Sequence, residues 1–386
     1  MIILKLVFKN ALRHKLRSSL TIFGISIVII AFCILRTVIT AWYVGLDASA
    51  ANRLVTRHSV SFIFPLPYSY KDKIEKVNGV EMVTYANWFG GTYVDKTQFF
   101  ARIAVDAATF FDVYPEFKLS KDEYSNFLRE RNSCVVGSKI AKQYNFKVGD
   151  IIPLNGDIFP GKWEFVVRGI YQPREKTTDA TQLIFHWDYL NERMLKETPV
   201  RANEIGWLII KIKNPSQSAQ ISETIDQMMK NSPAETKTET ERAFTQGFIS
   251  AFSGVISAMN GMSFVIVGII MLVLGNTMIM SARERTKEYA VLKTIGFSSK
   301  HLIGLIMGEA LLISCLGGAI GMGLSVPLII AFEEFLPKGV FPVFQLEPIT
   351  VILAVSTVVF IGIASSVFPI QRTLKTKIVE GFRFVG

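Results

Sequence analysis

Three cysteines and four histidines in 386 residues leave little material for thiol or metal chemistry. Cys33 and Cys315 fall inside apolar runs and only Cys134 lies in a polar region, so no intrachain disulfide is expected there. His14, His58, His186 and His301 are scattered, and the chain has no GxSxG, HExxH or clustered Cys/His pattern. Hydrolase and metalloenzyme readings therefore find no support. Nucleotide binding fares no better. Gly156–Lys162 matches the first seven positions of a phosphate-binding loop, but Trp163 stands where the metal-binding Ser or Thr belongs and Pro160 interrupts the loop, so the match is chance. Acids are scarcer than bases, 32 against 42, giving a formal charge of +10.

What is present is apolar length. Half the residues are hydrophobic, and four segments reach the ~20 residues needed to cross ~30 Å of hydrocarbon. They are 20–44, the later part of 244–282 (about Ile256–Met280), 302–332 and 349–370. The first apolar run, before Ala48-Ser49-Ala50, is too long for the ~7–15-residue core of a cleaved signal and reads as an uncleaved anchor. Residues 45–243 have ordinary globular composition and the length of a domain.

Orientation follows from the short flanks. Residues 1–19 carry Lys5, Lys9, Arg13, Lys15 and Arg17 with no acid. The loop 283–301 and the tail 371–386 are also basic, whereas the loop 333–348 has Glu333, Glu334 and Glu347 against Lys338. The positive-inside rule places both termini and 283–301 in the cytoplasm and 45–243 and 333–348 outside. The net positive charge thus reports topology and anionic headgroups and requires no nucleic acid.

The expected fold class is membrane α-helical, with four transmembrane helices in 1+3 order and a large α+β extracytoplasmic domain. In that domain Ser59–Phe64, Tyr68–Val77 and Gly79–Trp88 read as one βαβ unit. Ile205–Lys213, Ser216–Lys230 and Ala234–Thr240 read as a second, together a ferredoxin-like layer. Residues 99–200 interrupt them as an inserted, mostly-β subdomain, with a helix ending in Cys134–Tyr144 and strands at Ile151–Leu154 and Trp163–Tyr171. Trp88, Phe89, Tyr93, Trp163 and Trp187 would line a cleft or fill the core. Phe244 to Ala282 reads as one helix of ~58 Å, projecting outward as a stalk with Phe244, Phe248, Phe252, Val255 and Met259 on an apolar face.

Several motifs point one way. The stretch Asn276–Phe297 runs from an apolar helix into Arg283, Glu284, Arg285, Glu288, Lys293 and Gly296. Asn10–Ile25, with the pattern NxLRxxLRSSLTxxGI, forms a basic amphipathic opening. Glu309 is an intramembrane acid followed by Gly317, Gly318 and Gly321, whose missing side chains permit close helix packing. Arg36 lies near the outer end of the first span, where it can snorkel. The tail keeps the order Pro369…Glu380…Arg383. Together these segments resemble MacB/FtsX-type (type VII, mechanotransmission) ABC transporter permeases without a fused ATPase domain.

The resemblance implies a MacB-like periplasmic core domain at 45–243 and a cytoplasmic coupling loop at 283–301 that docks into a separate ATPase. It implies two ATPase copies, a second permease copy as homodimer or heterodimer, and an adaptor with an outer-membrane channel as further partners. Cofactors are expected to be none in this chain, ATP and Mg being held by the partner ATPase. The expected location is the cytoplasmic (inner) membrane of a bacterium. The expected function is ATP-driven movement of the outer domain to export or extract a hydrophobic or amphiphilic substrate. Lipoprotein release, FtsX-like control of a cell-wall hydrolase, and sensing for a kinase are the alternatives.

Overall fold

The computed structural model describes residues 2–11, 13–95, 98–175, 177–335 and 343–375, with the side chains of 2–5, 44, 45, 47, 48, 248, 334 and 335 left out. The tail beyond 375, including Glu380 and Arg383, and Lys338 lie outside the described residues. The chain forms two compact units: residues 1–40, 253–332 and 344–386 in one, and 41–252 with 333–343 in the other.

The first unit is helical. Lys15–Tyr43, Ser253–Glu284, Ser299–Glu333 and Pro348–Lys375 are each long and apolar enough to cross a membrane, and are called the first to fourth spans. Large apolar side chains such as Phe264 and Leu272 are exposed, as lipid-facing surface requires. Glycine sets the helix contacts. A Cβ at Gly317 would lie 2.9 Å from the carbonyl oxygen of Ile22, and one at Gly321 would lie 2.8 Å from that of Ser26. The first and third spans thus meet backbone to backbone across a GxxxG pair. Ser26 Oγ donates to the Gly317 carbonyl at 3.0 Å across the same crossing. On an adjoining face of the third span, Gly318 admits Val358 of the fourth, and Gly362 of the fourth admits Leu311 and Ser314.

Two segments read from the sequence as single helices, 1–19 and 244–282, are interrupted. The amphipathic opening is a helix over Ile2–Ala11, and a second helix begins at Lys15. The turn is held by Ser18 Oγ, which donates to the Ala11 carbonyl, and it lets Val7 pack on Gly308 of the third span. The stalk also breaks. Glu241–Ser250 is one helix and Ser253–Glu284 the next. At the break Phe252 N–H donates to the Ile249 carbonyl at 2.9 Å, and its ring lies 4.7 Å from that of Trp42. The single apolar face is therefore not continuous. Ile256 is buried, Phe244, Phe252 and Met259 are half-buried, and Val255 is exposed; the Phe248 side chain lies outside the described residues.

The second unit is built on one mixed sheet. Its strands are β1 (Arg53–His58), β3 (Val80–Trp88), β4 (Ala101–Val105), β5 (Phe117–Lys118), β6 (Ser133–Gly137), β7 (Ile151–Gly156), β8 (Gly161–Pro173), β9 (Gln182–His186), β11 (Trp207–Ile212) and β12 (Thr236–Thr240). β2 (Leu66–Pro67) and β10 (Glu204–Ile205) form a separate small pair. The order is β12-β1-β11-β3-β4-β9-β6-β8-β5, with β7 beside β8. The first four strands are mutually antiparallel and follow the ferredoxin-like 4-1-3-2 order.

Two elements sit elsewhere than the sequence suggests. Ser59–Phe64 carries no strand; the strand is Arg53–His58, six residues earlier. The apolar run lost because Leu54–Thr56 are already paired on both sides, with Ile210–Leu208 and with Thr240–Thr238, and buried on both faces. Cys134–Tyr144 is likewise a strand, Ser133–Gly137, leading into a helix, Ser138–Tyr144. The inserted strands extend the same sheet, since β4 pairs with β3 on one side and runs parallel to β9 on the other. Of the aromatic residues considered for a cleft, Phe89, Trp163 and Trp187 are core, Tyr93 packs against it, and Trp88 is partly exposed. Gly156 and Gly161 face each other at the β7–β8 hairpin, a turn unrelated to phosphate binding.

Candidate functional site: the charged segment after the second span

The second span runs to Glu284, Arg285 forms the junction, and a short helix follows over Thr286–Thr294. Its end is set by Gly296, whose φ of +95° is readily reached without a Cβ. Phe297 N–H donates to the Leu292 carbonyl at 3.0 Å and Gly296 N–H to that of Lys293 at 3.2 Å. That pair of bonds is a Schellman closure. Gly296 is thus placed by helix termination.

The charges divide into two sets. Arg285 turns inward: its side chain is 5% exposed and its Nη1 donates to Glu309 Oε2 at 2.9 Å. Glu309 is equally buried and also accepts from Ser281 Oγ at 3.2 Å. An isolated carboxylate in hydrocarbon would be very costly, and the guanidinium offsets that cost. Arg285 Nε also reaches Glu288 Oε2 at 3.0 Å, and the guanidinium lies over the Tyr289 ring.

The outer set clasps the chain's beginning. Arg17 is bidentate on Glu284, at 2.6 and 3.1 Å, and Arg13 pairs with Glu288. His14 Nε2 stands 3.3 Å from Glu284. Burial acts to raise the Glu288 carboxyl, but hydrogen bonds from Arg13 and Arg285 outweigh it and hold the group below its usual range. Lys293 Nζ donates to the Thr373 carbonyl at 3.2 Å, near the end of the fourth span. A lysine at the C-terminal end of a helix also suits its dipole. Arg283 is exposed and has no ion pair among the described residues.

The short helix is therefore tied to the opening segment through Glu288, to the third span through Arg285, and to the fourth span through Lys293. Its remaining surface is exposed and includes Lys287, Val291 and Ile295. Sequence reasoning assigned Arg13 and Arg17 to lipid headgroups and missed their partners. The signal was the matching four-residue spacing of Arg13 and Arg17 with Glu284 and Glu288, which allows two charge pairs to form together. Arg36 Nη1 donates to Asn260 Oδ1 of the second span at 3.2 Å, a contact with no sequence signal.

Comparison with known proteins agrees with this architecture. Residues 18–228 match the MacB-like periplasmic core domain and residues 260–378 the FtsX-like permease C-terminal domain. An ABC transporter permease of Methanocaldococcus jannaschii is 23% identical over 99% of this chain and 97% of its own length. A macrolide export ATP-binding/permease protein MacB of Campylobacter fetus is 27% identical over 68% of this chain, which spans only 39% of that protein. The crystal structure of the periplasmic region of MacB from Actinobacillus actinomycetemcomitans covers 53% of this chain and 95% of its own, at 14% identity and a TM-score of 0.39. With the core-domain match alone extending over more than half of its length, this four-span membrane protein belongs to the MacB/FtsX-type family of ABC transporter permeases.

Proposed function

We propose that this chain is the transmembrane subunit of an ABC system whose ATP hydrolysis is supplied by a separate ATPase, two copies of which serve a permease dimer. In this reading the termini and the 283–301 segment are cytoplasmic, by the positive-inside rule. The short helix Thr286–Thr294 docks the ATPase, and its displacement passes to the spans and on to the outer domain. The cargo is a hydrophobic or amphiphilic molecule taken from the outer leaflet or periplasm, in line with the export named for the MacB relatives. An adaptor and an outer-membrane channel would receive it. ATP and Mg would be held by the ATPase.

One observation carries this reading. The helix combines rigid internal ties with a solvent-facing strip in which Val291 is 41% and Ile295 69% exposed beside Lys287. Apolar side chains on a water-facing helix suit a protein cleft better than a loop in solvent. The test is co-purification with the co-encoded ATPase and measurement of ATP turnover. Val291→Asp and Ile295→Asp should abolish stimulated turnover while leaving membrane insertion and thermal stability unchanged. Wild-type turnover in both variants would refute the docking role.

A further inference from the structure

The outer unit contains a cavity of about 510 Å³ lined wholly by residues outside the charged segment. That is the size of a small-molecule site. Its floor is apolar and comes from the sheet: Ala86 of β3, Ile103 of β4, and Trp207 and Ile209 of β11. Ile103 and Trp207 are only half-buried, so a ligand can reach them. One wall is formed by Glu241 and Thr245, in the first turns of the helix Glu241–Ser250.

The polar end is unbalanced. Arg53, with its side chain 5% exposed, donates from Nε to Glu241 Oε2 at 2.8 Å and from Nη2 to Glu116 Oε1 at 2.7 Å. Tyr114 hydroxyl donates to Glu241 Oε1 at 3.0 Å, and the Ala50 N–H also reaches Glu241 at 3.0 Å. Glu241 is therefore satisfied at both oxygens. Glu116 is not: its second oxygen has no partner among the described residues, and its side chain is 23% exposed. One guanidinium thus serves two carboxylates. Two other bases line the cavity: Lys211, held by Glu81 at 2.7 Å, and Arg174, exposed and with no ion pair among the described residues; the lining acids Glu116, Glu175, Asp179 and Glu241 still outnumber the bases.

We propose that this cavity binds a cationic amphiphile, its ammonium on the free oxygen of Glu116 and its apolar body on Ile103, Trp207 and Ile209. A charge-assisted bond to a half-used carboxylate favours an amine over a carboxylate head, and Trp207 adds apolar surface for the chain. The cavity lies at the end of the outer unit where the chain enters, near Ala41, and leaves, near Thr245. Occupancy is accordingly linked to the seating of helix Glu241–Ser250. The site does not rest on the transport reading, because binding is read directly.

The full chain in lipid nanodiscs would be photolabelled with an alkyl-diazirine decylamine and, separately, with the matching decanoic acid. Saturable labelling of peptides covering 103–117 and 207–211 by the amine is expected, competed by excess decylamine and about tenfold weaker for the acid. Glu116→Gln should weaken amine labelling about tenfold, and Ile103→Trp should fill the floor and remove it, with labelling of the four spans unchanged in both. Hydrogen exchange at 241–250 should slow when the amine is bound. Equal labelling by the two head groups, labelling confined to the spans, or full labelling in Glu116→Gln would overturn the proposal.

Discussion

Arg53 and Arg285 are both buried arginines that reach two carboxylates, yet they work in different surroundings. Arg53 sits in the outer unit, and both its partners, Glu116 and Glu241, keep some contact with water. Arg285 has one partner as buried as itself, Glu309 of the third span, and one partly exposed, Glu288. The first arrangement pins together pieces of one water-surrounded unit. The second passes a charge from the end of a membrane helix to the solvent, with no unpaired ion at any step. The lesson is that burial of an arginine does not define its role; the exposure of its partners does.

Breaking the deeper pair should have the largest effect. Glu309→Leu leaves the Arg285 guanidinium without its buried partner and should cost about 3–5 kcal/mol, read by denaturation in mixed micelles. The double variant Arg285→Met with Glu309→Leu should recover most of that loss, because two apolar side chains replace two ions. If the double variant is as unstable as the single one, the pair is not what holds the third span to the junction. Arg53→Met should cost less, about 2–3 kcal/mol, since Glu116 and Glu241 can take up water. Thermal unfolding of the full chain measures it.

The outer clasp is a smaller matter for stability. Arg13 and Glu288 are 54% and 43% exposed, so loss of their pair should shift unfolding little, and most of any cost of Glu288→Arg should come from its contact with Arg285. The substitution should still reduce ATPase-stimulated turnover by displacing the opening segment, and Arg13→Glu in the same chain should restore it. Failure of the swap to restore turnover would show that Glu288 acts through Arg285 or on the ATPase and not through Arg13 alone.

The smallest expected effect is a pH dependence in the outer unit. Burial lowers the pKa of His186, whose Nε2 lies 2.7 Å from the Phe127 carbonyl. The unfolded chain then binds the proton more readily than the folded one. Stability from the neutral ring is full above the usual imidazole value of ~6.5 and is lost as pH falls through that value toward the lowered folded one. His186→Gln should flatten the unfolding temperature between about pH 6.5 and 5 relative to wild type.

The spans were legible because hydrocarbon thickness imposes a length that composition reveals directly. The split ferredoxin-like order was legible from two βαβ-like blocks, though the first strand was placed wrongly. Arg53-Leu54-Val55-Thr56-Arg57-His58 looks less like a strand than Ser59–Phe64, and only pairing on both edges makes it one. The breaks near residue 13 and at Ala251–Phe252 have no proline to announce them, and arise from tertiary contacts of Ser18 and Trp42. At the site, the residue types of the charged segment were readable but their directions were not. That Arg285 faces inward depends on Glu309, which stands 24 residues away.

The parallel pairing of β4 with β9 has a consequence for how this family can vary. Ala101–Val105 is bonded to β3 on one edge and to Gln182–His186 on the other, so one hydrogen-bond ladder runs through the boundary of the insert. Removing residues 99–200 as though they were a plug-in module would strip β3 of its neighbour and leave a raw strand edge on each fragment. Such edges invite association with other chains. Exchange of this segment among relatives is therefore expected to succeed only when β3 and β11 travel with it, and the outer unit to be inherited and to unfold as one piece.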